Sequence, residues 1–176
     1  MIILLKSFLI VFLTWGAPLA FSYTIEITED EIQGKVAAIM PIEKTKFFVT
    51  VKLSDPKVEL LKAGNRIAIY LNVETSIPRV VKGAGRGTVS GTLIYDEAEA
   101  VFYFKEPVLE ALEIDRLPPK YTDKVKSIAQ AVVVKALAKY PIYKLKDENI
   151  KHKLAKSTLK SVEVKDEKLL VELSLF

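Results

Sequence analysis

The chain has 176 residues, 50% of them apolar and 27% charged, with a formal charge of +4, one histidine and no cysteine. The missing cysteine excludes thiol catalysis, disulfide scaffolds, Cys-ligated zinc and iron–sulfur clusters. Lysine dominates the basic residues and only Arg66, Arg79, Arg86 and Arg116 are arginine, which argues against a nucleic-acid reader built on bidentate arginine contacts.

Residues 1–22 have the form of a secretory signal. Lys6 is their only charge, Phe8 to Leu13 are apolar, Gly16 and Pro18 break the helix, and Ala20 and Ser22 are small. Small residues at the third and first positions before a cut place cleavage between Ser22 and Tyr23. A retained membrane anchor is the alternative, for which the apolar run falls short of the roughly 20 residues that span a bilayer. Beyond Ser22 the chain carries 25 basic and 22 acidic residues, a formal charge of +3. About 150 residues bury one core and too little for two, so a single domain is expected over 23–176.

Thr28-Glu29-Asp30-Glu31 has the spacing of a capping box and opens a short helix whose apolar stripe is Ile32, Val36, Ile39 and Met40, stopped by Pro41. Period-two alternation then predicts strands over Phe47 to Leu53, Ile67 to Val73 and Val89 to Tyr95, with Val101 to Phe104 after them. Turn chemistry at Ser54-Asp55-Pro56, Ala63-Gly64-Asn65 and Asp96-Glu97 separates them into an antiparallel meander. Gly83, Gly85, Gly87 and Gly91 fall inside this region and mark a bent strand. Thr122 is the expected cap of a long helix from Asp123 to Tyr140, closed by Pro141. Its apolar residues run nearly all the way round, which predicts an enclosed helix. Leu159 to Val164 and Leu169 to Leu175 alternate again, a closing hairpin around Asp166-Glu167.

The motifs that resemble chemistry read more simply as structure. Gly83-Ala84-Gly85-Arg86-Gly87 lacks both the third glycine and the following helix of a phosphate-binding fingerprint. His152 stands between Lys151 and Lys153 with no second histidine to share a metal. Glu29-Asp30-Glu31 suits a helix N-terminus, and Asp96-Glu97-Glu99 a hairpin tip, better than a carboxylate pair. No nucleophile elbow is present. The reading is therefore of a protein without enzymatic activity, catalytic residues, cofactor or metal. Lys144 to Lys168 holds eight lysines and five acids, either a solubilising face or a peripheral contact with anionic membrane.

The order of parts resembles a known family. Thr28-Glu29-Asp30-Glu31-Ile32-Gln33, Leu53-Ser54-Asp55-Pro56-Lys57-Val58, Gly91-Thr92-Leu93-Ile94-Tyr95 and Tyr140-Pro141-Ile142-Tyr143-Lys144-Leu145 are similar to the YceB-like family of bacterial envelope proteins, over essentially all of residues 23–176. That family resembles the tubular lipid-binding (TULIP) superfamily, in which a curved antiparallel sheet wraps a long helix and the tunnel holds lipid. Many family members are lipoproteins; this chain departs from them in lacking the lipid-bearing cysteine.

The resemblance implies an α+β fold, a highly curved antiparallel sheet wrapped around a long α-helix with a short N-terminal helix, in an exported, periplasmic or secreted protein. The expected partner is a lipid or other hydrophobic small molecule between sheet and helix. Val49, Val51, Ile69, Leu71, Leu93, Phe102 and Phe104 on the concave face, with Ile128 and Val132 on the helix, are the expected lining. An inward strand face and a ligand-lining face look identical in sequence. A structural or protein-interaction module with a solid core, such as a cystatin-like grip, is the alternative.

Overall fold

A computed structural model of the chain describes residues 22–144 and 157–174. The signal-like residues 1–21, with His152 and the middle of the lysine-rich stretch, lie outside the described residues. Strand β1 (Ser22–Thr28) leads directly into helix α1 (Glu29–Ala38). The capping box forms as its spacing requires: the Thr28 hydroxyl accepts from the Glu31 amide at 3.2 Å, and the Glu31 carboxylate accepts from the Thr28 amide at 3.2 Å. Ile32 and Val36 are fully buried, and Ile39 is the C-cap.

Six strands follow in sheet order β2 (Ile42–Lys46), β3 (Val49–Leu61), β4 (Arg66–Ile77), β5 (Val81–Asp96), β6 (Val101–Ile114) and β7 (Tyr143–Lys144), all antiparallel. Two features depart from the expected meander. Strand β2 was not anticipated, because Glu43, Lys44 and Lys46 give it the charged character of an edge strand rather than an apolar alternation. Phe47 and Phe48 accordingly form the two-residue turn between β2 and β3, not the start of a strand. Ser54-Asp55-Pro56 likewise does not end a strand. Asp55 takes a left-handed φ of 48°, the register to β4 shifts between Ser54 and Lys57, and β3 continues. The buried face moves from Val49, Val51 and Leu53 to Val58 and Leu60, as one extra residue in the ladder requires.

The same device recurs in β6, which extends ten residues past the expected Phe104. Glu106 has a φ of 49° before Pro107, and burial passes from Phe102 and Phe104 to Leu109. The glycine-rich segment is a strand paired on both sides, with irregular register to β6 between Thr88 and Val89 and between Ser90 and Thr92. Gly85 and Gly91 are demanded by close approach: a Cβ at Gly85 would collide with the Glu113 carbonyl, and one at Gly91 with the Phe104 ring. Bulges and glycines are the devices that bend a sheet.

Helix α2 spans Pro119–Lys139, one turn earlier than expected, with Pro118 at its N-cap and no side-chain cap from Thr122. Proline at the first helical position loses only an amide that has no intrahelical partner. The helix packs chiefly on β6 and also touches β2 and β3. Val125, Ile128, Ala129, Val132, Val133, Ala136 and Leu137 are buried, whereas Ala131, Val134 and Ala138 face outward. The helix is thus amphipathic, not enclosed on all sides; alanine is small and neutral enough to stand on a wet face and mimic an all-round apolar pattern.

Strands β8 (Thr158–Lys165) and β9 (Lys168–Ser174) form the expected hairpin about Asp166 and Glu167, both with positive φ. Strand β1 pairs on the other side of β9, making a second sheet in the order β1-β9-β8. Asn65 ties it to the β3–β4 turn by accepting from the Val164 amide at 2.9 Å. A continuous apolar cluster links both sheets and both helices. The described fold is therefore α+β, mostly antiparallel sheet with two helices.

Candidate functional site

Two glutamines set the helices on the large sheet. Gln33 of α1 donates to the Pro56 carbonyl at 2.7 Å and accepts from the Val58 amide at 2.7 Å. Gln130 of α2 donates to the Pro107 carbonyl at 2.8 Å and accepts from the Leu109 amide at 2.7 Å. Each amide side chain behaves as a short piece of neighbouring strand, satisfying backbone groups that the bulge beside each proline withdraws from the ladder.

With α2 fixed by Gln130, its adjacent face stands opposite the edge strand β2 and leaves a groove of about 1070 Å³. Ile128, Ala131, Val132 and Ala136 line it from α2, and Ile39 and Ile42 from the end of α1 and the start of β2. The rim is basic: Lys44 and Lys46 from β2, and Lys124, Lys135 and Lys139 from α2, against the single carboxylate of Glu43. None of these five lysines is ion-paired with a described residue. The ring of Phe47 closes one end, with Lys46 and Lys124 ammonium groups 5.3 and 5.0 Å from its centroid.

Of the nine expected lining residues, only Ile128 and Val132 line this groove. Val49, Val51, Ile69, Leu71, Leu93, Phe102 and Phe104 sit in the continuous core, each 4% exposed or less. The β2 side of the groove gave no apolar signal in the sequence. The spacing of Lys124, Ala131, Lys135 and Lys139 along one helix face was legible, as a band of small residues edged by lysine.

The acidic clusters have structural partners. Glu29 accepts from the Leu60 amide at 3.0 Å, joining α1 to β3. Asp96 accepts from the amides of Ala98 and Glu99 at 3.0 and 3.1 Å, holding the β5–β6 turn. Burial pushes the phenol of Tyr95 above its ordinary range, with the Ser157 side chain opposing the shift. Among the described residues, no group of three His, Cys, Asp or Glu side chains could hold a metal ion, and no helix is long and apolar enough to cross a membrane. In the lysine-rich stretch, Lys160 pairs with Glu172 at 2.8 Å and Lys168 with Glu26 at 2.7 Å.

No curated protein matches the chain. Residues 27–168, from the end of β1 to the first residue of β9, match the model of a family described as a protein of unknown function, DUF1439, and the chain belongs to that family.

Proposed function

We propose that this protein binds an elongated amphiphile, an acyl chain with an anionic head, along the groove between α2 and β2. The observation that carries the reading is the groove itself: an apolar floor about 24 Å long from Lys124 to Tyr140, taken at 1.5 Å per helical residue, edged by lysines that have no ion pair with a described residue. Its volume lies at the upper end of what small-molecule sites occupy. Burying a dozen methylenes at about 0.8 kcal/mol each offers ample affinity without directional contacts, and the lysine rim favours a carboxylate or phosphate head.

The contacts of α2 with β6 near one edge of the sheet and with β2 and β3 at the other support a sheet that curls around the helix, the rolled arrangement of the YceB-like and TULIP resemblance. In this reading the protein acts without chemistry, in the periplasm or outside the cell, after loss of residues 1–22. A second reading, a solid-cored interaction module, has one observation in its favour: seven of the nine side chains expected to line a cavity are fully packed instead.

Titration of the chain with a fluorescent fatty acid separates the two. Ala131 is exposed on the groove wall, so Ala131→Trp fills the groove without disturbing the core. Groove binding requires saturable uptake that Ala131→Trp weakens by about tenfold or more, roughly 1.4 kcal/mol. Uptake unchanged by Ala131→Trp would place the ligand elsewhere, and no uptake at all would favour the solid-cored module.

A further inference from the structure

We infer that the end of the molecule carrying the β2–β3 turn is a docking face for an anionic lipid bilayer, with Phe47 and Phe48 as the side chains that enter it. These are the most exposed large apolar residues described, at 67% and 83%. They also occupy a turn that does not suit them. Both have positive φ, 49° and 64°, in a two-residue hairpin where Asn-Gly is the low-strain solution and a bulky side chain is an outlier. Two adjacent aromatics held there against both hydration and backbone preference point to a partner that covers them.

The strand register assembles the surroundings. Lys46 pairs with Val49, Thr50 with Ser76 and Ile77 with Val81, so the β2–β3 and β4–β5 turns lie side by side at one end of the sheet. Val80, 45% exposed, is in the second turn. The β6–α2 connection joins them, since the Asp115 amide donates to the Ala84 carbonyl at 3.0 Å, and Lys124 over the Phe47 ring brings in the first turns of α2. Exposed cations surround the aromatic tip: Lys46, Arg79, Lys82, Arg116, Lys120 and Lys124. Asp115 and Asp123 are the carboxylates on the same segments, and none of the six cations is ion-paired with a described residue.

Protruding aromatics inside a cationic collar match the layering of an anionic bilayer, with rings at the headgroup level and ammonium and guanidinium groups on the phosphates. A protein partner would have to supply both an apolar pocket and a surrounding acidic ring; anionic lipid supplies both at once. The face lies at the opposite end of the sheet from Asn65 and the β8–β9 hairpin, so it is distinct from the lysines of that hairpin. It shares Phe47, Lys46 and Lys124 with the end of the groove, but it rests on a different observation, the exposure and left-handed backbone of Phe47 and Phe48.

Flotation with vesicles of phosphatidylcholine containing about 30% phosphatidylglycerol tests the inference, using the chain as processed and purified from an exporting host. It should float with these vesicles and not with pure phosphatidylcholine, and high salt should weaken binding. The decisive variant is Phe47→Asn with Phe48→Gly, which suits the turn: it should unfold at a higher temperature than the parent yet lose binding by about tenfold or more. Lys120→Glu with Lys124→Glu should lose binding similarly, about a fivefold loss for each lysine removed, whereas Lys165→Glu at the far end should leave it unchanged. Equal binding by the Asn-Gly variant, equal binding to neutral vesicles, or binding that tracks Lys165 would overturn the inference. So would absence of vesicle binding together with a dimer, seen by sedimentation, that the Asn-Gly variant dissolves, since the tip would then be a contact between copies.

Discussion

Tyr95 is the residue whose ionisation is most plainly coupled to folding. Its ring is buried and stacks against Phe102 with centroids 4.7 Å apart, and burial holds its phenol above the ordinary tyrosine range. The sign follows from linkage. In the unfolded chain the phenol ionises near pH 10, while in the folded chain it stays protonated to higher pH, so its contribution is fully present below about pH 10 and is lost as pH rises toward the folded value. Urea unfolding at about pH 8 and about pH 11 should show a steeper loss of stability in the parent than in Tyr95→Phe; equal slopes would remove Tyr95 as the cause. Gly91 acts through absence rather than charge. Its missing Cβ is the space occupied by the Phe104 ring, which is why a residue with no side chain sits in the middle of a buried strand.

At the scale of elements, the two glutamine clamps decide how the helices sit on the sheet. Gln130 is half-buried and satisfies two backbone groups of β6, so Gln130→Ala leaves the Leu109 amide and the Pro107 carbonyl without their partner. The expected cost is about 1–3 kcal/mol, measurable as a shift of the urea midpoint without a change in its slope; a shift below about 0.5 kcal/mol would mean that water replaces the amide freely. Helix α1 and the closing hairpin were legible from sequence because capping and turn chemistry are local. Strand β2, the full length of β6 and the continuation of β3 were not, because they depend on pairing partners. A signal was nevertheless present. Val49, Val51 and Leu53 give way to Val58 and Leu60, and Phe102 and Phe104 to Leu109, each across an acid-proline pair. A change of parity at Asp55-Pro56 or Glu106-Pro107 is a bulge within one strand, whereas a turn would also need room to reverse. The groove was legible on one side only: α2 supplies Ile128 and Val132 as expected, but the facing wall is the edge strand β2, which lacks the dense apolar pattern of a lining.

For the whole molecule, cohesion comes from the apolar cluster, because cysteine is absent and the cross-strand ion pairs are exposed. Lys52–Glu74 joins neighbouring strands of the large sheet and Arg66–Glu110 reaches across β5 from β4 to β6, while Lys160–Glu172 and Lys168–Glu26 join neighbouring strands of the small one; such pairs contribute about 0–1 kcal/mol each. Their effect is on where positive charge is left. Acids neutralise lysines across the strands of both sheets, while the groove rim and the end bearing Phe47 and Phe48 keep theirs uncompensated by described residues. Native mass spectrometry of the chain purified from an exporting host, with solvent extraction of the same sample, tests groove binding most directly. Binding along α2 and β2 requires a stoichiometric acidic lipid or fatty acid that is depleted in Ala131→Trp; a ligand-free parent that also takes up no added fatty acid would contradict it.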